Sequence, residues 1–197
     1  IGAGGMGVVF EARLPVGKRV ALKLLHPQRV DDERAIRRFH DEAMAGLVVQ
    51  HENLVRTLDY GETADSLPFL VMERLCGEPL GRRIQRDAVP STKRAVDILR
   101  QILAGLGALH AAGIVHGDIK SDNVMVETAS DGNLVVRLID GEVLVELAPF
   151  QYIFATLQLV AGDGVAQEQH RVALGGVVAA AQQEGVGHAR QRRVPEA

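Results

Sequence analysis

The chain has 197 residues, enough for one domain or two small lobes, with 47% hydrophobic and 24% charged residues, the balance of an ordinary globular protein. A net charge of −3 gives no reason to expect a nucleic-acid partner. The single cysteine, Cys76, cannot close an internal disulfide, so a reducing cytoplasm is the expected home. No basic segment followed by an apolar run opens the chain, and the most apolar late stretch, "APFQYIFATLQLVAG", is short for a membrane span and holds Pro149, Gln151 and Gln158. Membrane contact is expected only if a longer parent protein carries a spanning segment.

The chain starts at Ile1 inside a glycine-rich run, "IGAGGMGVVF", so it is expected to be a fragment. "VVFEARLP" and "KRVALKLL" follow, short Val- and Leu-rich runs split by a turn signal at Val16-Gly17-Lys18, which predicts a hairpin. "DDERAIRRFHDEAMAGLVVQ" has apolar residues at Ile36, Phe39, Ala43 and Leu47, the spacing of a helix, with Asp31 or Asp32 available as its cap. "NLVRTLDYGE" and "FLVMERL" are two further strand candidates with Gly61 between them. The segment "STKRAVDILRQILAGLGALHAAG" predicts a long helix capped by Ser91, striped by Ala95, Ile98, Ile102, Leu106 and Leu109, and closed by Gly113. "NVMVE" and "NLVVRLID", split by Asp131-Gly132, predict a second hairpin. A boundary is drawn near Cys76-Gly77.

After Asp140 the composition shifts. Four glutamines occupy the first 140 residues and seven the last 57, where Lys and Ser are absent. Helix and strand periods are poorly defined there. A reading-frame slip would explain the change, and residues 141–197 are expected to be an atypical, poorly ordered tail.

Three polar constellations interrupt this pattern. Gly2, Gly4, Gly7 and Val9 fit G-x-G-x-x-G-x-V, a loop whose backbone can approach an anion because no Cβ intervenes. A strand follows it, not a helix, which argues against a dinucleotide fold. "VALK" ends at Lys23, an ammonium in an apolar strand that needs a partner, and Glu42 on the next helix is the candidate carboxylate. "GIVHGDIKSDNVMV" places Asp118, Lys120 and Asn123 together, with Asp140 after the next hairpin. Asp118 could orient a hydroxyl and accept its proton. Lys120 could neutralise charge on a phosphoryl group, while Asn123 and Asp140 offer oxygen ligands to Mg²⁺. Asp122 is left as a solvated neighbour.

Taken in order, "GAGGMGVV", "VALK", "RFHDEAM", "HENLV", "FLVMERL", "LHAAGIVHGDIKSDNVMV" and "LID" resemble a bacterial, eukaryotic-like serine/threonine protein kinase over residues 1–140. The resemblance implies an α+β fold of two lobes. Residues 1–75 would form an antiparallel-sheet small lobe with one helix, and residues 76–140 the first part of an incomplete, mainly helical large lobe. It implies ATP and Mg²⁺ as ligands and a Ser or Thr of a protein as acceptor, the Lys after Asp118-Ile119 favouring these over Tyr. Asp118, Lys120, Lys23 and Glu42 would be catalytic, and Asn123 and Asp140 metal-binding. The nucleotide would lie under Gly2, Ala3, Gly4, Gly5, Met6 and Gly7, between Val9 and Ala21 above and Met125 below. Met72 would guard the slot, and the backbones of Glu73 and Leu75 would face adenine.

Departures temper what the family implies. Gly117 replaces the arginine of His-Arg-Asp, the residue that reads an activation-loop phosphate, and no Ser and only Thr156 follow Asp140, so a phospho-switch is not expected. His-Gly-Asp is also the form used by aminoglycoside and choline kinases. "DGE" stands where the family has Asp-Phe-Gly, and no Ala-Pro-Glu follows. The alternatives are therefore a catalytically inactive nucleotide-binding scaffold and, less well supported, a small-molecule phosphotransferase.

Overall fold

The computed structural model describes residues 2–3, 6–87, 90–140 and 144–145. Apart from Leu144 and Val145, the tail lies outside the described residues, Thr156 with it, and so do Gly4 and Gly5.

The first hairpin forms as the turn signal predicts. β1 (Gly2–Ala3) and β2 (Gly7–Arg13) are followed by β3 (Arg19–Leu25), and Gly17 takes the positive φ of the turn at 82°. β4 (Thr57–Glu62) and β5 (Pro68–Glu73) complete an antiparallel sheet in the order β1-β2-β3-β5-β4. β3 is central, and "VALKLL" is buried along its whole length, which is why it lacks the polar alternation of a one-sided strand. One of its faces is covered by α1 (Glu33–Val48), whose cap is Asp32, accepting from the backbone N–H of Arg34 and Ala35. Ala35, Phe39 and Ala43 of this helix belong to the same core cluster as Leu22, Leu24, Leu70 and Val71 of the sheet. Phe39 is fully enclosed and contributes about 3 kcal/mol at most by burial alone.

Two details of this half differ from the sequence expectation. Gly61 is not between strands; it lies within β4, paired with Phe69. A Cβ there would stand 2.9 Å from the Phe69 ring, so the glycine makes room for an aromatic neighbour. The turn comes later, where Thr63 closes a loop back to Leu67. "NLV" at the start of the predicted strand is not in β4 either; Leu54 makes a lone bridge to Leu138 instead.

The second half is built on α3 (Thr92–Ala111), capped by the Ser91 hydroxyl and stopped at Gly113, φ 72°. Its stripe of Ile98, Ile102 and Leu109 packs on β8 (Val124–Thr128) and β9 (Leu134–Leu138), the second predicted hairpin. The opposite face carries Val96, Leu99 and Leu103 in the open, Leu103 at 65% exposure. Short elements absent from the sequence expectation complete this half: β6 (Glu78–Pro79), α2 (Leu80–Arg86), β7 (Ile114–Val115) and β10 (Leu144–Val145).

The two cores do not divide cleanly at Cys76. Ala45 and Leu54 belong to the core of the second half. The linker after α1 is stitched to β9: Val55 N–H donates to Leu138 C=O, and Leu138 N–H to Asn53 C=O, both at 2.9 Å. Buried Asn53 gives its side-chain amide hydrogens to Val136 C=O (2.8 Å) and Gln101 Oε1 (3.1 Å), so α3 joins the same knot.

Candidate active site

The site lies where β3, α1, the loop after β7 and the end of β9 meet. In β3, Lys23 pairs across to Val9 on one side and Leu70 on the other. Its side chain leaves the sheet and is 5% exposed. Nζ donates to both Glu42 oxygens, at 2.7 and 2.9 Å, and to Asp140 Oδ1 at 2.9 Å. A buried ammonium held by two carboxylates satisfies the requirement that an internal charge be paired. Glu42 is buried because α1 turns this position, like Phe39, toward the sheet. Burial pushes the Glu42 carboxyl up to about 7 against the pull of Lys23, with Asp140 adding to the rise. Burial draws Lys23 down, and the two carboxylates outweigh it and leave it above its ordinary value.

The loop after β7 carries the rest. Gly117 has φ 72°, a conformation costly for a residue with a Cβ. Asp118 and Lys120 form a direct pair, Nζ to Oδ2 at 2.6 Å. This bond, with a second from Asn123, holds the half-buried Asp118 carboxyl below its usual range, so it is ionised at neutral pH. Asn123 sits buried in a short 3-10 turn, Ser121–Asn123. Its amide nitrogen donates to Asp118 Oδ2 and C=O, both at 2.9 Å, and to Asp140 C=O at 3.0 Å. Those donations leave the amide oxygen as the atom Asn123 can offer to a ligand. Asp140, two residues past β9, takes φ 47°. Asp122 is exposed.

The remaining predicted residues form the surroundings. Ala21 and Met72 are buried partners across β3 and β5, and Val9 and Met125 are half-buried. Gly2 and Ala3 pair antiparallel with Val9 and Val8 of β2. Gly7 presses on β3: a Cβ there would stand 2.2 Å from Leu24 C=O. The Met6 carbonyl accepts from His26 N–H. Glu73 turns its side chain away from the cleft face, accepting from Arg56 N–H at 2.9 Å, and Leu75 follows two residues on.

His116 received no role from sequence, although it opens the His-Gly-Asp triplet. It is 4% exposed. Burial holds its imidazole below its ordinary value, against an opposing backbone hydrogen bond with Ile139. It lines a cavity of about 60 Å³ with Glu42, Gly46, Thr57 and Asp140. Ile139 N–H donates to Asn123 C=O at 3.0 Å, so Asn123 grips the residue before Asp140.

Fold and site together define a two-lobed kinase architecture with its central ion-pair cluster assembled. The chain belongs to the protein kinase domain family, whose model matches residues 1–166. It is similar to the serine/threonine-protein kinase pkn3 of Myxococcus xanthus, 38% identical over 141 residues, covering 71% of this chain and 26% of that protein. It is equally similar, at 38% over 133 residues, to PknA of Mycobacterium tuberculosis, covering 64% of this chain and 30% of the other. Across these and other curated relatives, the chain spans between 17% and 30% of their length. Among solved structures, Rad53 residues 1–466 in complex with AMP-PNP aligns at TM-score 0.65 and 24% identity, covering 73% of this chain and 37% of that one. The Mycobacterium tuberculosis PknI kinase domain aligns at 0.61 and 23%, covering 74% and 58%. At these identities the structures speak for the fold alone.

Proposed function

We propose that the chain carries the nucleotide-binding and catalytic-loop part of a serine/threonine protein kinase, transferring the terminal phosphoryl group of ATP to a protein hydroxyl. The observation that carries this reading is an unbroken line of contacts across the two halves. Lys23 meets Asp140, Asp140 meets Asn123, Asn123 meets Asp118, and Asp118 meets Lys120, each within 3.0 Å. Structural loop residues have no reason to converge in this way from three separate segments, β3, the loop after β7 and the end of β9.

In the proposed reaction the acceptor oxygen forms a bond to the γ-phosphorus as the bond to the β,γ-bridging oxygen breaks. Asp118, kept ionised by Lys120, accepts the hydroxyl hydrogen and aims the oxygen, which is the larger part of its contribution because a low-pKa carboxylate is a weak base. Lys23 brings positive charge to the non-transferring phosphates, held by Glu42 so that it need not reorganise. Lys120 sits on the reacting side, able to shift from Asp118 to a phosphoryl oxygen. Asn123 holds the backbone at Ile139 and Asp140 and so places the Asp140 carboxylate.

The residues fit a magnesium ion as a shared ligand. Among the described residues no group of three His, Cys, Asp or Glu side chains could hold a metal. One carboxylate, Asp140, and one amide oxygen, Asn123, instead form the sparse, hard-oxygen donor set that suits Mg²⁺ when phosphates supply other ligands. Bound there, the ion would neutralise phosphate charge.

The test is Mg-ATP turnover on a generic basic protein by the wild-type chain, Asp118→Ala and Lys23→Ala. Each variant should lose at least about a hundredfold in rate, with Asp118→Ala still binding ATP. ATP binding without turnover by the wild type would favour the inactive scaffold. Phosphorylation of an aminoglycoside and of no protein would favour the small-molecule enzyme.

A further inference from the structure

Strand pairing determines which way the outer residues of β2 face. Val9 lies opposite Lys23, and Glu11 opposite Ala21. Directly opposed residues of an antiparallel pair share a face, as do residues two apart on one strand. Lys23 reaches down to Asp140, so this is the face over the cleft. Glu11 therefore hangs from the same roof as Val9 and Ala21, displaced toward the segment after β5, because Ala21 in turn lies opposite Met72.

From that segment Arg74 rises to meet it. Its Nε donates to Glu11 Oε2 at 2.5 Å, and Arg19 Nη1 stands 3.8 Å from Oε1. Arg74 Nη1 also donates to Cys76 Sγ at 3.1 Å, which ties the guanidinium to its own segment. The Arg74 bond holds Glu11 below the usual carboxylate range, and Glu11 raises Arg74 in return. The pair spans from the roof strand to the residues proposed to face adenine, Glu73 and Leu75.

We infer that Glu11 and Arg74 are a positioning pair for the nucleotide, a charged strap that holds β2 down on the segment after β5 and so sets the height of Val9 and Ala21 over the bound base. The inference rests on the nucleotide-binding reading above. Neither side chain needs to touch the nucleotide. The strap works by limiting how far the roof lifts, so it acts on retention of the ligand.

Glu11→Arg, Arg74→Glu and the double exchange are compared in the 197-residue chain. Binding of a fluorescent N-methylanthraniloyl-ATP is titrated at low and high salt, and backbone hydrogen exchange is followed at residues 8–13 and 74–76 without nucleotide. Each single exchange should weaken binding about fivefold in about 50 mM salt and much less in about 1 M, where a partly exposed pair is screened. The double exchange, which restores opposite charges in swapped places, should return to within about twofold of wild type. Amides of both segments should exchange faster in the singles and recover in the double. Singles that bind as wild type, or a double as weak as either single, would overturn the strap. If the wild type bound no nucleotide, the site reading would fall, and unchanged exchange in the singles would remove the strap as well.

Discussion

Glu42 stands far from its ordinary chemical state. Its folded pKa stands near 7 against a usual 4.5, raised first by burial. A carboxyl raised on folding adds stability that is fully present below its unfolded value and is lost as pH rises through its folded one. Between about pH 4.5 and 7 this single group should therefore remove up to about 3 kcal/mol of stability. Urea melts of the wild type at pH 5 and pH 8 should show that decline, and Glu42→Gln should flatten it. A wild type equally stable at both would mean that Lys23 keeps the carboxyl ionised throughout. Lys23 and Glu42 were legible as candidates by position: the lysine lies one hairpin after the glycine run, and Glu42 follows Phe39 by three residues, near the inward face of the next helix. Their meeting with Asp140 was not legible from spacing alone, since 117 residues separate Lys23 from it.

Among elements, the linker between α1 and β4 matters more than its length indicates. Asn53 is 4% exposed, and it supplies the amide that satisfies Val136 C=O and Gln101. Asn53→Ala would strand those buried acceptors and should cost about 2 kcal/mol by chemical denaturation, several times what an exposed asparagine would cost. Asn53→Asp should be as harmful, because it keeps the shape and removes the donor. No sequence signal pointed to this knot. Periodicity finds faces of helices, and turn residues find hairpins, which is why α1, α3 and both hairpins could be read in advance with their caps. A side-chain amide that answers a carbonyl 83 residues away has no local signature. Gly61 misled for the opposite reason: glycine commonly marks turns, and here it marks the space claimed by Phe69. α2 was missed because it is seven residues long, starts after Pro79 and has no side-chain cap.

At the scale of the molecule, the apolar face of α3 sets how the chain behaves in solution. Val96, Leu99 and Leu103 are 43%, 56% and 65% exposed along one side of the helix. Leu99→Gln with Leu103→Glu should lower binding of a hydrophobic dye and reduce aggregation on heating, while changing unfolding free energy by no more than about 0.5 kcal/mol. A drop of several kcal/mol would show that both leucines are buried in the folded chain.

The stitching of residues 53–55 to β9 has a mechanical consequence. α1 is fastened at its far end to the strand that leads to Asp140, and along its length to the sheet that carries Lys23. It behaves as a lever with its fulcrum at Asn53. Rocking of one half against the other would strain it, and Glu42, six residues before the end of the helix, would feel that strain against Lys23 on the sheet. The grip between the two is thus a gauge of how the halves are set.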